Sequence, residues 1–121
     1  MSPPDQPADE PADGRVRIEA LEASELAEGQ VVARVVGGHR IVLVRHEGRV
    51  HALGGVCPHQ GHDLGEGFLA EGAVVCNSHL WAFDLGHGRC TLVPGAAVPV
   101  HPAREEGGRI LVDLPPAEEP W

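Results

Sequence analysis

Residues 57–90, CPHQGHDLGEGFLAEGAVVCNSHLWAFDLGHGRC, decide how this chain is read. Cys57-Pro58-His59 opens the stretch, and Cys76-Asn77-Ser78-His79 follows after sixteen residues, so 23 residues hold two thiols and two imidazoles. Sulfur and imidazole nitrogen are the donors that soft and borderline transition metals select. The pattern is C-x-H and then C-x2-H, one sulfur and one nitrogen from each half. A structural zinc site more often opens on C-x2-4-C and closes on H-x3-5-H. A nucleophilic cysteine beside a histidine is a third chemistry open to these residues, but it leaves the second Cys-His pair without a use. A split donor set suits an asymmetric two-iron cluster, with two Cys on one iron and two His on the other.

The stretch resembles the cluster-binding region of Rieske ferredoxins, the small electron carriers that serve bacterial oxygenases. The resemblance is carried by Cys57-Pro58-His59, Gly61, Leu64, Cys76-x-x-His79, Trp81-x-Phe83-Asp84 and the Gly-rich turn that follows, and it extends over residues 16–114. It implies one Rieske-type [2Fe-2S] cluster with Cys57, His59, Cys76 and His79 as ligands. It also implies an all-β fold, a Rieske-like β-sandwich or barrel base carrying a smaller cluster-binding subdomain formed by two loops. The function implied is that of a soluble one-electron carrier from an NADH-dependent flavin reductase to a terminal oxygenase, itself not an enzyme. His79-Leu80-Trp81 resembles the Rieske ferredoxins of diiron monooxygenases acting on toluene or alkenes, with ring-hydroxylating dioxygenase systems kept beside them.

Charge explains what mixed ligation does. Two ferric ions, two sulfides, two thiolates and two neutral imidazoles sum to zero, whereas four thiolates would leave the cluster at −2, so the mixed cluster accepts an electron more readily. Rieske potentials span about −150 to +300 mV. High-potential members of the family carry two further cysteines that link the loops, and here His62 and Ser78 stand at those positions. The chain has no Tyr, and Trp81 stands where a serine donates to sulfur in those proteins. Fewer hydroxyl donors stabilise the reduced cluster less, so a low potential is expected.

Length and composition bound the alternatives. In 121 residues there is room for one domain and none for a second, catalytic one. No apolar stretch is long enough for a membrane span, and MSPPDQPADEPADG has no basic, apolar or twin-arginine export signal. The expectation is a cytoplasmic monomer with no membrane partner. Formal charge is −9, much of it in the tails: residues 15–114 hold twelve acids against nine arginines, or −3. No basic footprint is clustered, so nucleic acid is not an expected partner. Two other functions remain open: a Rieske-like small subunit of an assimilatory nitrite reductase, and a zinc-stabilised interaction module.

The organisation reads as tail, domain, tail. Residues 1–14 are rich in Pro, Asp and Ala and are expected to be disordered; residues 15–114 form the domain, with the cluster-binding region at about 55–95; residues 115–121 form a second tail. Strands are expected from Val16, over 31–36 and 40–46 about a Gly37-Gly38 turn, and over 49–53 after Glu47-Gly48. Further strands are expected at 73–76, 81–84, 89–92, 98–103 and 109–114, and a short helical turn over Glu19 to Glu28. Trp81 and Phe83, at alternate positions, are expected to pack one strand face. Cys90 matches no ligand position and reads as a buried small hydrophobe. Pro94 is placed in the proline-containing loop that shields the cluster in the family. His62, close to the first loop, reads as a surface histidine or a partner contact; His87 lies in the Gly86-His87-Gly88 turn with no evident chemistry, and His39, His46, His51 and His101 read as structural or solvated.

Overall fold

The run Ile41-Val42-Leu43-Val44 sets the layering of the molecule. In the computed structural model, which describes residues 15–58, 61, 63–77 and 80–115, all four side chains are buried. Alternate residues of a strand face opposite ways. Ile41 and Leu43 join one apolar cluster with Leu21, Ile110, Val112 and Leu114. Val42 and Val44 join a second with Leu53, Leu64, Val74 and Phe83. A strand apolar on both faces needs a layer on each side, and that is the arrangement here.

The strands are β1 (Val16–Glu22), β2 (Val31–Val36), β3 (His39–His46), β4 (Arg49–Gly54), β5 (Phe68–Ala70), β6 (Ala73–Val75), β7 (Ala82–Asp84), β8 (Val100–His101), β9 (Ala103–Glu106) and β10 (Arg109–Leu114). They form three antiparallel sheets, ordered β1-β10-β9, β2-β3-β4-β8 and β5-β6-β7. The four-stranded sheet is the middle layer; the first apolar cluster joins it to β1 and β10, and the second to β6 and β7. The all-β expectation is met. The smaller unit is a three-stranded sheet with loops at its tip, not loops alone.

Four two-residue turns make the hairpins: Gly37-Gly38, Glu47-Gly48, Glu71-Gly72 and Gly107-Gly108 all have positive φ at both positions. That geometry matches the right-handed twist of the flanking strands and favours Gly at the second site. Between β1 and β10, Arg17 places Nε 2.8 Å and Nη2 3.2 Å from the two carboxylate oxygens of Asp113. This is a two-point ion pair across the β1–β10 ladder, with both side chains less than one-fifth exposed.

Three expectations are corrected. Glu19 to Glu28 is not a helical turn: β1 continues to Glu22, and only Ala23–Glu25 forms a 3-10 turn. The cause is a remote partner, since Glu19 and Glu22 register against Leu111 and Arg109 across a bulge. Residues 89–92 form isolated bridges, Phe83 with Cys90 and Arg89 with Ala97, not a strand. Residues 98–103 divide into β8 and β9 at Pro102, which has no N–H to give a ladder. Its carbonyl instead accepts the Asp113 N–H at 2.9 Å. The expectation missed β5. The N-terminal tail, His62, Ser78 and Trp121 lie outside the described residues, whereas Pro115 is described and its carbonyl lies 2.8 Å from His39 Nε2.

Candidate metal centre

Cys57 follows β4 and Cys76 follows β6, so each thiol sits where a strand runs into a loop. Both residues are 1% exposed, both belong to the second apolar cluster, and none of the three cysteines is in a disulfide among the described residues. His59 and His79, the other two residues of the expected ligand set, lie outside the described residues.

The two loops share a backbone plan. The Gly61 N–H donates to the Cys57 carbonyl at 2.8 Å, and the Leu80 N–H donates to the Cys76 carbonyl at 2.9 Å. In each loop the fourth residue after the cysteine has positive φ, +74° at Gly61 and +62° at Leu80. Each loop is closed at its base. A bridge joins Val56 to Asp63 in the first, and the Cys76 N–H donates to the Trp81 carbonyl at 2.7 Å in the second.

Each loop also leads into an Asp-Leu-Gly tripeptide, residues 63–65 and 84–86. Asp63 Oδ1 accepts the Gly65 N–H at 2.8 Å, and Asp84 Oδ1 accepts the Gly86 N–H at 2.6 Å. These are the local side-chain-to-backbone turns that aspartate favours. Leu64 and Leu85, in the middle of the tripeptides, are 0% and 3% exposed and pack in the cluster that holds both cysteines. The repeat was visible in the sequence and its structural role was not read there. Two further ties fix the first loop to β3: the Gly55 N–H donates to the Arg40 carbonyl at 2.9 Å, and Arg40 Nη2 lies 3.6 Å from Asp63 Oδ2.

Around the loops, Phe83 is fully buried and Trp81 partly buried against the same cluster, as their alternate spacing suggested. Cys90 is only partly buried, a correction to its reading as buried. It packs against the cluster's edge and lines, with Arg89 and Pro94, an open cavity of about 450 Å3. His87 lies on the turn capped by Asp84, its Nε2 3.5 Å from Asp84 Oδ1. His46 and His51 approach each other on β3 and β4, their ring centres 6.5 Å apart. Burial pushes the His51 imidazole below its ordinary range, helped by His46 and Arg49. Among the described residues no group of three or more His, Cys, Asp or Glu side chains is arranged to hold a metal ion, and no helix is long and apolar enough to cross a membrane.

The donor chemistry fits an iron–sulfur group. Two thiols enclosed by Leu64, Val74, Phe83 and Leu85 are poorly placed as bare thiolates, because charge in apolar surroundings is costly without a compensating cation. Ferric iron held by Cys57 and Cys76 would supply that charge, and the surrounding apolar side chains would keep water from the sulfurs.

Comparison with known proteins agrees with this chemistry. The Rieske [2Fe-2S] domain matches residues 16–102. The ferredoxin component of the alkene monooxygenase system of Xanthobacter autotrophicus is 36% identical over 100 residues, 82% of each chain. The ferredoxin component of the naphthalene 1,2-dioxygenase system of Pseudomonas aeruginosa is 31% identical over 98 residues, covering 80% of this chain and 94% of that one. Among solved structures, one described as an NADH-dependent nitrite reductase small subunit of Mycobacterium tuberculosis superposes with a TM-score of 0.78. It is 32% identical and covers 84% of this chain and 96% of its own. The cofactor of such a domain is a Rieske-type [2Fe-2S] cluster. With its strand layers, twin cysteine loops and a match over residues 16–102, the chain belongs to the Rieske [2Fe-2S] domain family.

Proposed function

We propose that this chain is a one-electron carrier of an oxygenase system, receiving electrons from an NADH-dependent flavin reductase and delivering them to a terminal oxygenase. Its cluster ligands are Cys57, His59, Cys76 and His79. The observation that carries the reading is the pair of cysteines 1% exposed, in twin turns of one apolar cluster, within a chain whose relatives are ferredoxin components. When bound, the cluster stores one electron at a low potential for its class.

The chain's own residues do the rest. Cys57 and Cys76 supply sulfur from rigid strand ends, and the Gly61 and Leu80 N–H groups hold the turns closed against the cysteine carbonyls. Leu64, Phe83 and Leu85 exclude water from the sulfur side. His59 and His79 give the imidazole side, where the electron leaves. The flavin of the reductase takes the two electrons of a hydride and releases them singly, and the carrier takes one per turn, so two carrier turnovers match one NADH. Bond chemistry belongs to the oxygenase. The carrier acts in the cytoplasm as a monomer.

Electron paramagnetic resonance before and after dithionite tests the site. A rhombic signal appearing only on reduction, with nitrogen couplings lost in His59→Cys or His79→Cys, supports it. Silence with stoichiometric zinc overturns it in favour of a zinc module. The nitrite reductase small subunit is a second reading, favoured by the 0.78 superposition. Isolation in a stable complex with a larger nitrite-reducing enzyme would select it over the carrier.

A further inference from the structure

Trp121 has no part in the site described above, and a cavity beside the first cysteine loop is of a size for it. The cavity, about 260 Å3 and open to solvent, lies where β2 and β3 meet the base of that loop. Ala33, Val35 and Ile41 give it apolar walls, Arg34 and Arg40 line it with positive charge, and Gly55 and Asp63 close the loop side. A cavity of about 150 Å3 already admits benzene, so this one has room for an indole.

The walls state what kind of occupant fits. Val35, opposite Arg40 in the β2–β3 register, is 71% exposed, the most exposed large apolar residue among those described. A guanidinium has five N–H donors. Arg34 meets Glu25 at 3.0 Å and Arg40 meets Asp63 at only 3.6 Å, which leaves donors on both for a second carboxylate. An aliphatic wall between two such groups suits a segment that is apolar at its tip and acidic beside it.

The chain carries that segment to this place. Pro115 is fixed beside the start of β3, where its carbonyl lies 2.8 Å from His39 Nε2, and Arg40 is the residue after His39. The residues from 116 on lie outside the described ones. From Pro115 to Trp121 the chain can reach up to about 20 Å, and Pro116 and Pro120 favour an extended course and lessen the entropy lost on docking. Glu118 and Glu119 stand just before the indole. The N-terminal tail also has acids, Asp5, Asp9, Glu10 and Asp13, but no aromatic side chain to fill the cavity.

We propose that Trp121 seats in this cavity against Val35 and the guanidinium faces, with Glu118 and Glu119 paired to Arg34 and Arg40. The C-terminal segment then straps the base of the first cysteine loop to β2 and β3. Gly55 is the link, because its N–H donates to the Arg40 carbonyl at 2.9 Å and its carbonyl accepts the Leu64 N–H at 2.8 Å. A loop so held opens less often. The strap does not depend on which partner the carrier serves.

The test uses the whole chain as holoprotein, labelled with 5-fluorotryptophan, in which the fluorine resonance of Trp121 is the one lost in Trp121→Phe. A soluble nitroxide broadens each resonance according to its exposure. Broadening at Trp121 is expected about fivefold below that in a labelled peptide of residues 115–121, since burying an indole favours the docked state by at least that factor. Val35→Asp, and separately Arg34→Gln combined with Arg40→Gln, are expected to bring it within about twofold of the peptide. In Trp121→Ala the amides of residues 55–64 are expected to exchange about threefold faster, with the reduced resonance signal unchanged.

Peptide-like broadening in the parent overturns the proposal, as does protection that survives in both cavity variants, which places the indole elsewhere. Protection lost on about fiftyfold dilution overturns it in favour of a second copy of the chain. Unchanged exchange in Trp121→Ala removes the strap. Should Val35→Asp fail to hold its cluster, the arginine variant decides.

Discussion

Gly67 lies so close to the Val75 carbonyl that a Cβ on it would stand 1.9 Å from the oxygen. Gly67 ends the first cysteine loop and Val75 immediately precedes Cys76, so this contact sets how near the two loops come. Gly67→Ala must move backbone, not a flexible side chain, and is expected to cost about 3 kcal/mol. Gly61→Ala is the control, with open space around its Cβ and only the positive φ against it, costing about 1 kcal/mol. Denaturant unfolding of both variants, with iron content per chain, checks the contrast; equal losses would remove the loop-spacing role.

Cysteine roles separate by burial. Cys57→Ser and Cys76→Ser are expected to lose the reduced resonance signal and the visible colour. Cys90→Ser, at the cluster's partly exposed edge, should keep both and lose less than about 1 kcal/mol of stability. Loss of the signal in the Cys90 variant would contradict the ligand assignment.

Stability should rise as pH is raised toward the unfolded histidine value near 6.5. His101 is 7% exposed, and among the described residues its Nδ1 has no hydrogen-bond partner. Burial holds its imidazole below the ordinary range, with Arg15 and His39 adding to the effect. His51 is lowered too, mainly by burial. Between each depressed folded value and the unfolded value near 6.5, the unfolded chain binds more protons. The stability is therefore full above the unfolded value and lost as pH falls through the folded one. Unfolding midpoints across this range should show a smaller slope for His101→Phe, and an unchanged slope would show that His101 does not titrate on unfolding.

The Arg17–Asp113 pair anchors β1 on β10. Replacing Asp113 with Ala leaves a largely buried guanidinium without its two-point partner and is expected to cost about 3 kcal/mol. Replacing both residues by apolar side chains of similar volume should recover most of the loss. A double-mutant cycle measures this, and additive losses would show that the pair is not coupled.

Local chemistry was legible in the sequence. The ligand pattern needs only residue types and spacing, and Gly37-Gly38 and Glu47-Gly48 act through their own dihedral preferences. The run Ile41 to Val44 already carried the double-sided burial of β3. Longer-range structure was not legible. Whether residues 19–22 are strand or helix depended on Arg109 and Leu111, about ninety positions away. The three-residue β5 exists because β6 lies beside it, and no periodicity is readable in so short a segment.

The sequence by itself determined which donor residues are on offer, two Cys-His pairs at C-x-H and C-x2-H spacing, because metal chemistry is written in which atoms are present and how many residues part them. Only the tertiary structure decided that Cys57 and Cys76 share one apolar cluster, that repeated Asp-Leu-Gly turns brace their loops, and that Leu80 stands in a glycine's conformation. Those features arise when distant segments pack, and packing fixes backbone angles that no residue chooses alone.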